Sequence, residues 1–241
     1  GDAPAVETAR RVYAIGDIHG RLDLIEQLHA LIAADARDAE TGLAKVLVYL
    51  GDYVDRGPES KGVIEALARP GLSGFETVHL KGNHEDMMVR FLDQEPDIGD
   101  LWIANGGAET LASYGVDVPW RSDGAGLTRA GGDLRRHLPA GHLEFLRRLR
   151  SWHRDGDYLF VHAGVRAGVA IEAQKDADLL WIRSGFLDCD DDLGGIVVHG
   201  HTPTVDPDRR RNRIGIDTGA VFTGRLTCLV LEGTEQRFLS T

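Results

Sequence analysis

With 241 residues, 42% of them hydrophobic and 27% charged, the chain can bury one substantial core, and a single domain over residues 1–241 is expected. The formal net charge of −11 argues against nucleic acid as the main partner, because phosphate backbones are held by Lys and Arg. No run approaches the roughly eighteen apolar residues of a membrane helix, which argues against a membrane partner.

Gly1 to Arg10 carries no signal-peptide pattern. Arg11 to Ile15 reads as a strand ending at Gly16, and Arg21 to Arg37 as a helix with Leu22, Ile25, Leu28, Leu31 and Ile32 near helical spacing. Val46 to Leu50 is an apolar run suited to a strand covered on both faces. Ser60 to Ala68 reads as a helix stopped by Pro70-Gly71, and Phe75 to Leu80 as a third strand. From about 86 to 151 the pattern is helical and irregular, interrupted at Trp102 to Gly107, and is read as a helical cap inserted over the site. Strands return at Tyr158–Val161, Ile196–His199, Arg213–Asp217, Leu226–Leu231 and Gln236–Leu239. The late ones lack intervening helices, so antiparallel pairing is expected. The alternation of strand and helix makes this an α/β chain. Cys189 and Cys228 are too few for a disulfide framework, although one bridge between them is open; a reducing, cytoplasmic setting fits.

Three clusters stand at strand ends: Gly16-Asp17-Ile18-His19-Gly20, Gly51-Asp52-Tyr53-Val54-Asp55-Arg56-Gly57 and Gly82-Asn83-His84-Glu85. Each sets oxygen or imidazole donors between glycines, where the backbone can turn sharply and where α/β sheets place ligands. His162 in Phe160-Val161-His162-Ala163-Gly164 and His201 in His199-Gly200-His201-Thr202 add later candidates. Asp17, His19, Asp52, Asn83, His162 and His201 are six donors, too many for one catalytic ion with open positions. They suit two divalent ions about 3.5–4 Å apart that share a carboxylate. Carboxylate, imidazole and amide together favour manganese, iron or zinc over calcium.

The triplet Gly-Asp-x-His-Gly, Gly-Asp-x-Val-Asp-Arg-Gly, Gly-Asn-His-Glu resembles the signature of the phosphoprotein phosphatase family of metallophosphoesterases. The His-Ala-Gly and Gly-His-Thr pieces extend the match to about residue 202. The resemblance implies a four-layer metallophosphoesterase fold, a sandwich of mixed β-sheets flanked by helices. It implies two divalent ions, manganese first with iron and zinc as alternatives. Asp17 and His19 would hold one ion, Asp52 would bridge, and Asn83, His162 and His201 would complete the other. A hydroxide bridging the ions would attack phosphorus directly. His84 would be the general acid, oriented by Asp55, and Arg56, Arg183 and Asn83 would bind the phosphate. A neutral-pH proton donor and bidentate guanidinium donors are what such a reaction needs.

Pro203 stands where other metallophosphoesterases carry a second histidine, which favours the protein-phosphatase branch. Asp55 and Glu85 do so as well, because the symmetrical dinucleoside tetraphosphatases typically lack the former and have Asp in place of the latter. The length resembles small bacterial and phage enzymes acting on phosphoserine, phosphothreonine and often phosphotyrosine. Phosphorylated proteins or small phosphate esters are therefore the expected substrates, with dinucleoside tetraphosphate hydrolysis as the alternative and a non-catalytic metal-binding scaffold a distant third. His199 is read as structural, although a strand would put it on the face of His201. Asn105-Gly106-Gly107 and Asp217-Thr218-Gly219 are read as turns.

Overall fold

A computed structural model describes residues 3–37, 42–95, 97–118 and 124–241. The first half runs β1 (Arg10–Ile15), α1 (Leu22–Arg37), β2 (Ala44–Tyr49), α2 (Ser60–Ala68) and β3 (Phe75–His79). Helices α3 (Asn83–Leu92), α4 (Ile98–Trp102), α5 (Ala108–Ser113), α6 (Gly124–His137) and α7 (Ala140–Arg147) follow. Then come β4 (Trp152–Asp155), β5 (Tyr158–Val161), α8 (Asp176–Trp181), β6 (Ile196–His199), β7 (Asp208–Arg209) and β8 (Arg213–Gly215). The chain closes with α9 (Ala220–Thr223), β9 (Thr227–Glu232) and β10 (Glu235–Ser240).

Two five-stranded sheets result, ordered β10-β9-β1-β2-β3 and β4-β5-β6-β8-β7. Strict alternation along β1 and β2 explains their stacking. Val12, Ala14, Val46 and Val48 face one way and join Tyr158, Phe160, Val198 and Ile214 of the second sheet in an inter-sheet core. Their neighbours Tyr13, Ile15, Leu47 and Tyr49 face the other way and meet α1, α2 and the helices between β3 and β4. A third cluster, including Leu159, Val161, Val197 and Leu179, covers the outer face of the second sheet. Both faces of each central strand are buried, so a one-residue slip would exchange two filled cores. The expected sandwich of mixed sheets with flanking helices is present.

The pairing of the late strands differs from the sequence reading. β9 and β10 are antiparallel, as expected. β5–β6 and β6–β8 are parallel instead. The reason is length: 34 residues holding α8 separate β5 from β6, enough for a crossover, and β7 occupies the return from β6 to β8. The parallel strands β1, β2 and β3 thus end at the same edge as β5 and β6, and every site cluster follows one of these ends. No helix among the described residues is long and apolar enough to cross a membrane. Cys189 and Cys228 are free thiols, the latter buried.

Candidate active site

The three glycine-bracketed loops are held in uncommon backbone shapes. Eight non-glycine residues among those described have positive φ, and five of them are His19, Asp52, Asp55, Arg56 and His201, between 48° and 74°. Such conformations cost energy and persist only where the surroundings enforce them. Glu85 is one enforcer. Its buried carboxylate accepts the N–H groups of Asp52 (2.8 Å), Gly82 (2.9 Å), Tyr53 (2.7 Å) and Val54 (3.2 Å), tying the second loop to the third. Close approach does the rest: a Cβ at Gly82 would overlap the Asp52 carboxylate, and one at Gly200 would overlap that of Asp17.

The donor atoms converge on Asp52. His162 Nε2 lies 3.3 Å from its Oδ1 and His19 Nε2 lies 3.4 Å from its Oδ2. Asn83 Oδ1 is 2.9 Å from His162 Nε2 and 3.0 Å from His201 Nδ1. Asp17 Oδ2 is 4.0 Å from His19 Nε2, while the His201 N–H donates to the same carboxylate. Adjacent donors around an octahedral ion with bonds near 2.1 Å are about 3 Å apart, so these separations fit ligands facing shared cations. Asp52 belongs to both of the tight donor groups, His19–Asp52–His84 and Asp52–His162–His201.

The ring nitrogens are set for coordination. His19 Nδ1 donates to the Val54 carbonyl (2.9 Å) and His162 Nδ1 to that of Leu50 (2.8 Å), which turns both Nε2 lone pairs inward. Burial pushes His19 and His201 down to about 3, so both rings are neutral, the form that binds a metal. Burial, then Asp217 and Asp52, pushes Asp17 well above the usual carboxylate range. Carboxylates packed together out of water are costly unless cations neutralise them, which fits a site for divalent ions. Burial would also raise Asp52, but His162 and His84, whose own pKa values are raised, hold it well below that range.

His84, in the first turn of α3, is buried beside this cluster. Its Nδ1 lies 2.7 Å from Asp55 Oδ2, and its Nε2 is 3.8 Å from Asp52 Oδ2. Asp55 is fully buried and is fixed by residues of the inserted helices: the Trp102 indole N–H donates to Oδ2 (2.8 Å) and the Thr110 hydroxyl to Oδ1 (2.6 Å). Burial would lower the His84 pKa, but Asp52 and Asp55 outweigh it and raise the group above its ordinary value. Arg56 holds Nη1 3.3 Å from His19 Nε2, and its N–H donates to the Gly106 carbonyl. Gly106, at φ 100° in the kinked turn Ile103–Gly107, lets the chain pass against Arg56, so this segment shapes the rim. Arg183 is exposed and reaches the His201 carbonyl (3.4 Å).

All the singled-out residues therefore gather at one edge, and His199 does not join them. β6 ends at His199, and the positive φ of His201 turns the two rings apart; His199 Nε2 faces Arg213 Nη1 (3.3 Å). In the sequence, Trp102 and Asp217 figure only in an interruption and in a strand end and turn, and Thr110 not at all, so none of the three is singled out there as a site residue. Trp102 begins the Trp-Ile-Ala-Asn-Gly-Gly interruption and could have been suspected there, whereas nothing local marks Thr110.

The comparisons with known proteins agree with this geometry. The family described as calcineurin-like phosphoesterase matches residues 10–214. Serine/threonine-protein phosphatase 2 of Escherichia coli is 35% identical over 99 residues, 41% of this chain and 39% of that one. Bis(5'-nucleosyl)-tetraphosphatase PrpE [asymmetrical] of Bacillus thuringiensis is 29% identical over 89% of this chain and 88% of its own. Serine/threonine-protein phosphatase 1 of Salmonella typhimurium is also 29% identical, over 90% of both chains. A crystal structure provisionally assigned as a diadenosine tetraphosphatase superposes with a TM-score of 0.64 at 19% identity, covering 99% of this chain and 98% of that one. The match over residues 10–214 and the donor cluster at the strand ends establish that the chain belongs to the calcineurin-like metallophosphoesterases.

Proposed function

We propose that this chain is a phosphomonoesterase acting on phosphorylated proteins, with phosphoserine and phosphothreonine as its main substrates. The observation that carries the reading is the buried His84–Asp55 pair at the edge of the donor cluster. Asp17, His19 and Asp52 would hold one divalent ion and Asp52, Asn83, His162 and His201 a second, with manganese favoured. When bound, such ions act as Lewis acids on the phosphoryl group and lower the pKa of water. Arg56 and Arg183 would clamp phosphoryl oxygens with paired N–H donors, aided by the Asn83 amide. Asp55 accepts the Nδ1 proton of His84, which fixes the tautomer and leaves Nε2 to hold the proton that passes to the leaving oxygen.

A second reading has specific support. The PrpE relative is covered over 88% of its length, and its name gives it asymmetrical bis(5'-nucleosyl)-tetraphosphatase activity. The test is a parallel rate comparison, with Mn²⁺ added, on phosphoserine and phosphothreonine peptides and on diadenosine tetraphosphate. A higher kcat/KM on the peptides is expected. Faster turnover of the dinucleotide would overturn the protein-phosphatase reading, and its products (two ADP, or ATP with AMP) would distinguish symmetrical from asymmetrical cleavage. Metal binding without turnover of any substrate would leave only a scaffold.

A further inference from the structure

The turn that carries His201 is of a rare kind. The Thr202 N–H donates to the Gly200 carbonyl (2.7 Å), so the bond closes over three residues with His201, at φ 66°, in the middle. That bond and that φ are those of a strained γ-turn, which persists only where its surroundings enforce it. Its backbone is tied to two other donor residues: the Gly200 N–H donates to the His162 carbonyl (2.8 Å) and the His201 N–H to the Asp17 carboxylate (3.1 Å). The Gly200 carbonyl also meets His199, whose Nδ1 lies 3.1 Å away. His199 is buried, edge-on to Phe186 with ring centroids 4.9 Å apart, and a Cβ at Gly215 would come within 3.0 Å of its Cε1. Its Nε2 faces Arg213 Nη1 (3.3 Å). A guanidinium only donates, so Nε2 must accept and the ring proton sits on Nδ1. Nδ1 therefore donates to the Gly200 carbonyl, whose two lone pairs can serve both His199 and Thr202. Arg213, buried as well, is fixed in turn: Nη1 lies 2.9 Å from Asp208 Oδ2 and Nη2 donates to the Leu187 carbonyl (2.9 Å).

We propose that Arg213 and His199 are positioning residues for His201. The guanidinium selects the His199 tautomer, and the imidazole holds the strained turn that presents the His201 ring to the second ion. This rests on the reading of His201 as a metal ligand. Neither side chain belongs to the tight donor groups, so the pair acts through the backbone of the turn. Without the imidazole donor, the Gly200 carbonyl keeps only the Thr202 N–H and the turn is free to relax. A relaxed φ at His201 would swing its ring away from Asn83 Oδ1, which it meets at 3.0 Å. Groups that orient a ligand in this way cost about 10–100-fold in metal affinity when removed.

Calorimetric Mn²⁺ titration of the EDTA-stripped protein is compared for the unaltered chain, His199→Phe, His199→Asn and His201→Ala. Phenylalanine keeps a buried ring without a donor, whereas asparagine places an N–H close to where Nδ1 stands. His199→Phe is expected to weaken one of two bound Mn²⁺ ions about 10–100-fold, the same ion that His201→Ala weakens, and to leave the other within about threefold. His199→Asn should restore the affinity of the weakened ion. Equal weakening of both ions, no weakening in His199→Phe, or no restoration by asparagine overturns the proposal. An unaltered protein that binds a single Mn²⁺ would instead overturn the two-ion reading, and the role given to His201 with it. Long-range ¹H–¹⁵N spectra of the unaltered protein, labelled with ¹⁵N-histidine, decide the tautomer without depending on how His199→Phe folds. The His199 signals, identified by their absence in His199→Asn, should show the proton on Nδ1; a proton on Nε2 overturns the proposal.

Discussion

Replacing Glu85 by glutamine tests whether one carboxylate shapes the site. Oε2 accepts from Asp52 N and Gly82 N, and Oε1 from Tyr53 N and Val54 N. A glutamine carbonyl can retain one of these pairs, but its NH₂ must then face the other two N–H groups donor to donor. Two buried amides without an acceptor cost about 1–3 kcal/mol each. Relief from burying a charge, with a pKa pushed up to about 7 by burial and by Asp52, returns part of that. A net loss of about 3 kcal/mol is expected for Glu85→Gln, a sizeable share of the 5–15 kcal/mol typical of a domain. Urea unfolding of the metal-free protein in EDTA, followed by tryptophan fluorescence, measures it. Asp52 should also lose its fixed φ of 55°, so metal content at a set free Mn²⁺ concentration should fall. A loss below 1 kcal/mol with unchanged metal content would refute the tie.

His84→Asn should retain metal and lower kcat by roughly 10²–10⁴ on substrates with poor leaving groups, as steady-state rates will show. Asp52→Asn should remove a donor common to both ions, so elemental analysis should find less than half the unaltered metal content. Trp102→Phe keeps the bulk but removes a donor to Asp55 (2.8 Å), and should cost about 1 kcal/mol together with a fall in kcat at unchanged metal content. His79 stacks on Tyr49, and His29 Nε2 lies 2.7 Å from the Tyr49 hydroxyl. Burial pushes both imidazoles down from 6.5 to about 4. The unfolded chain takes up protons as pH falls through 6.5 while the fold excludes them until about 4. Stability should therefore hold above pH 7 and fall across that window, by up to about 3 kcal/mol per imidazole. Denaturation midpoints at pH 7 and 5 should show the fall shrinking in His79→Phe.

The strand ends were legible because each combines a local apolar run with a glycine and a donor, all within seven residues. Ser60–Ala68, Tyr158–Val161 and Ile196–His199 coincide with the elements observed, since each is bounded by local turn chemistry. What was not legible depends on distance along the chain. Thr110 is fifty-five positions from the Asp55 carboxylate it supports, and Asp217 is two hundred from Asp17. The direction of β6 and β8 is set by how their connections cross the sheet, and no residue within those strands encodes it. Glu85 was visible in its motif, but its part as an acceptor for four amides needed the loops in place.

The positive-φ residues around the site have a consequence for which ion it takes. At about 1 kcal/mol or more apiece, five such residues store appreciable strain, and the protein's own hydrogen bonds hold them there. The cradle is thus preorganised: binding need not order these loops, which spares affinity and speeds capture. A rigid cradle of mixed oxygen and nitrogen donors accommodates several divalent ions of similar radius. Exchange of one for another should then proceed without refolding, and the occupant will reflect the metal supply around the protein as much as the donors themselves.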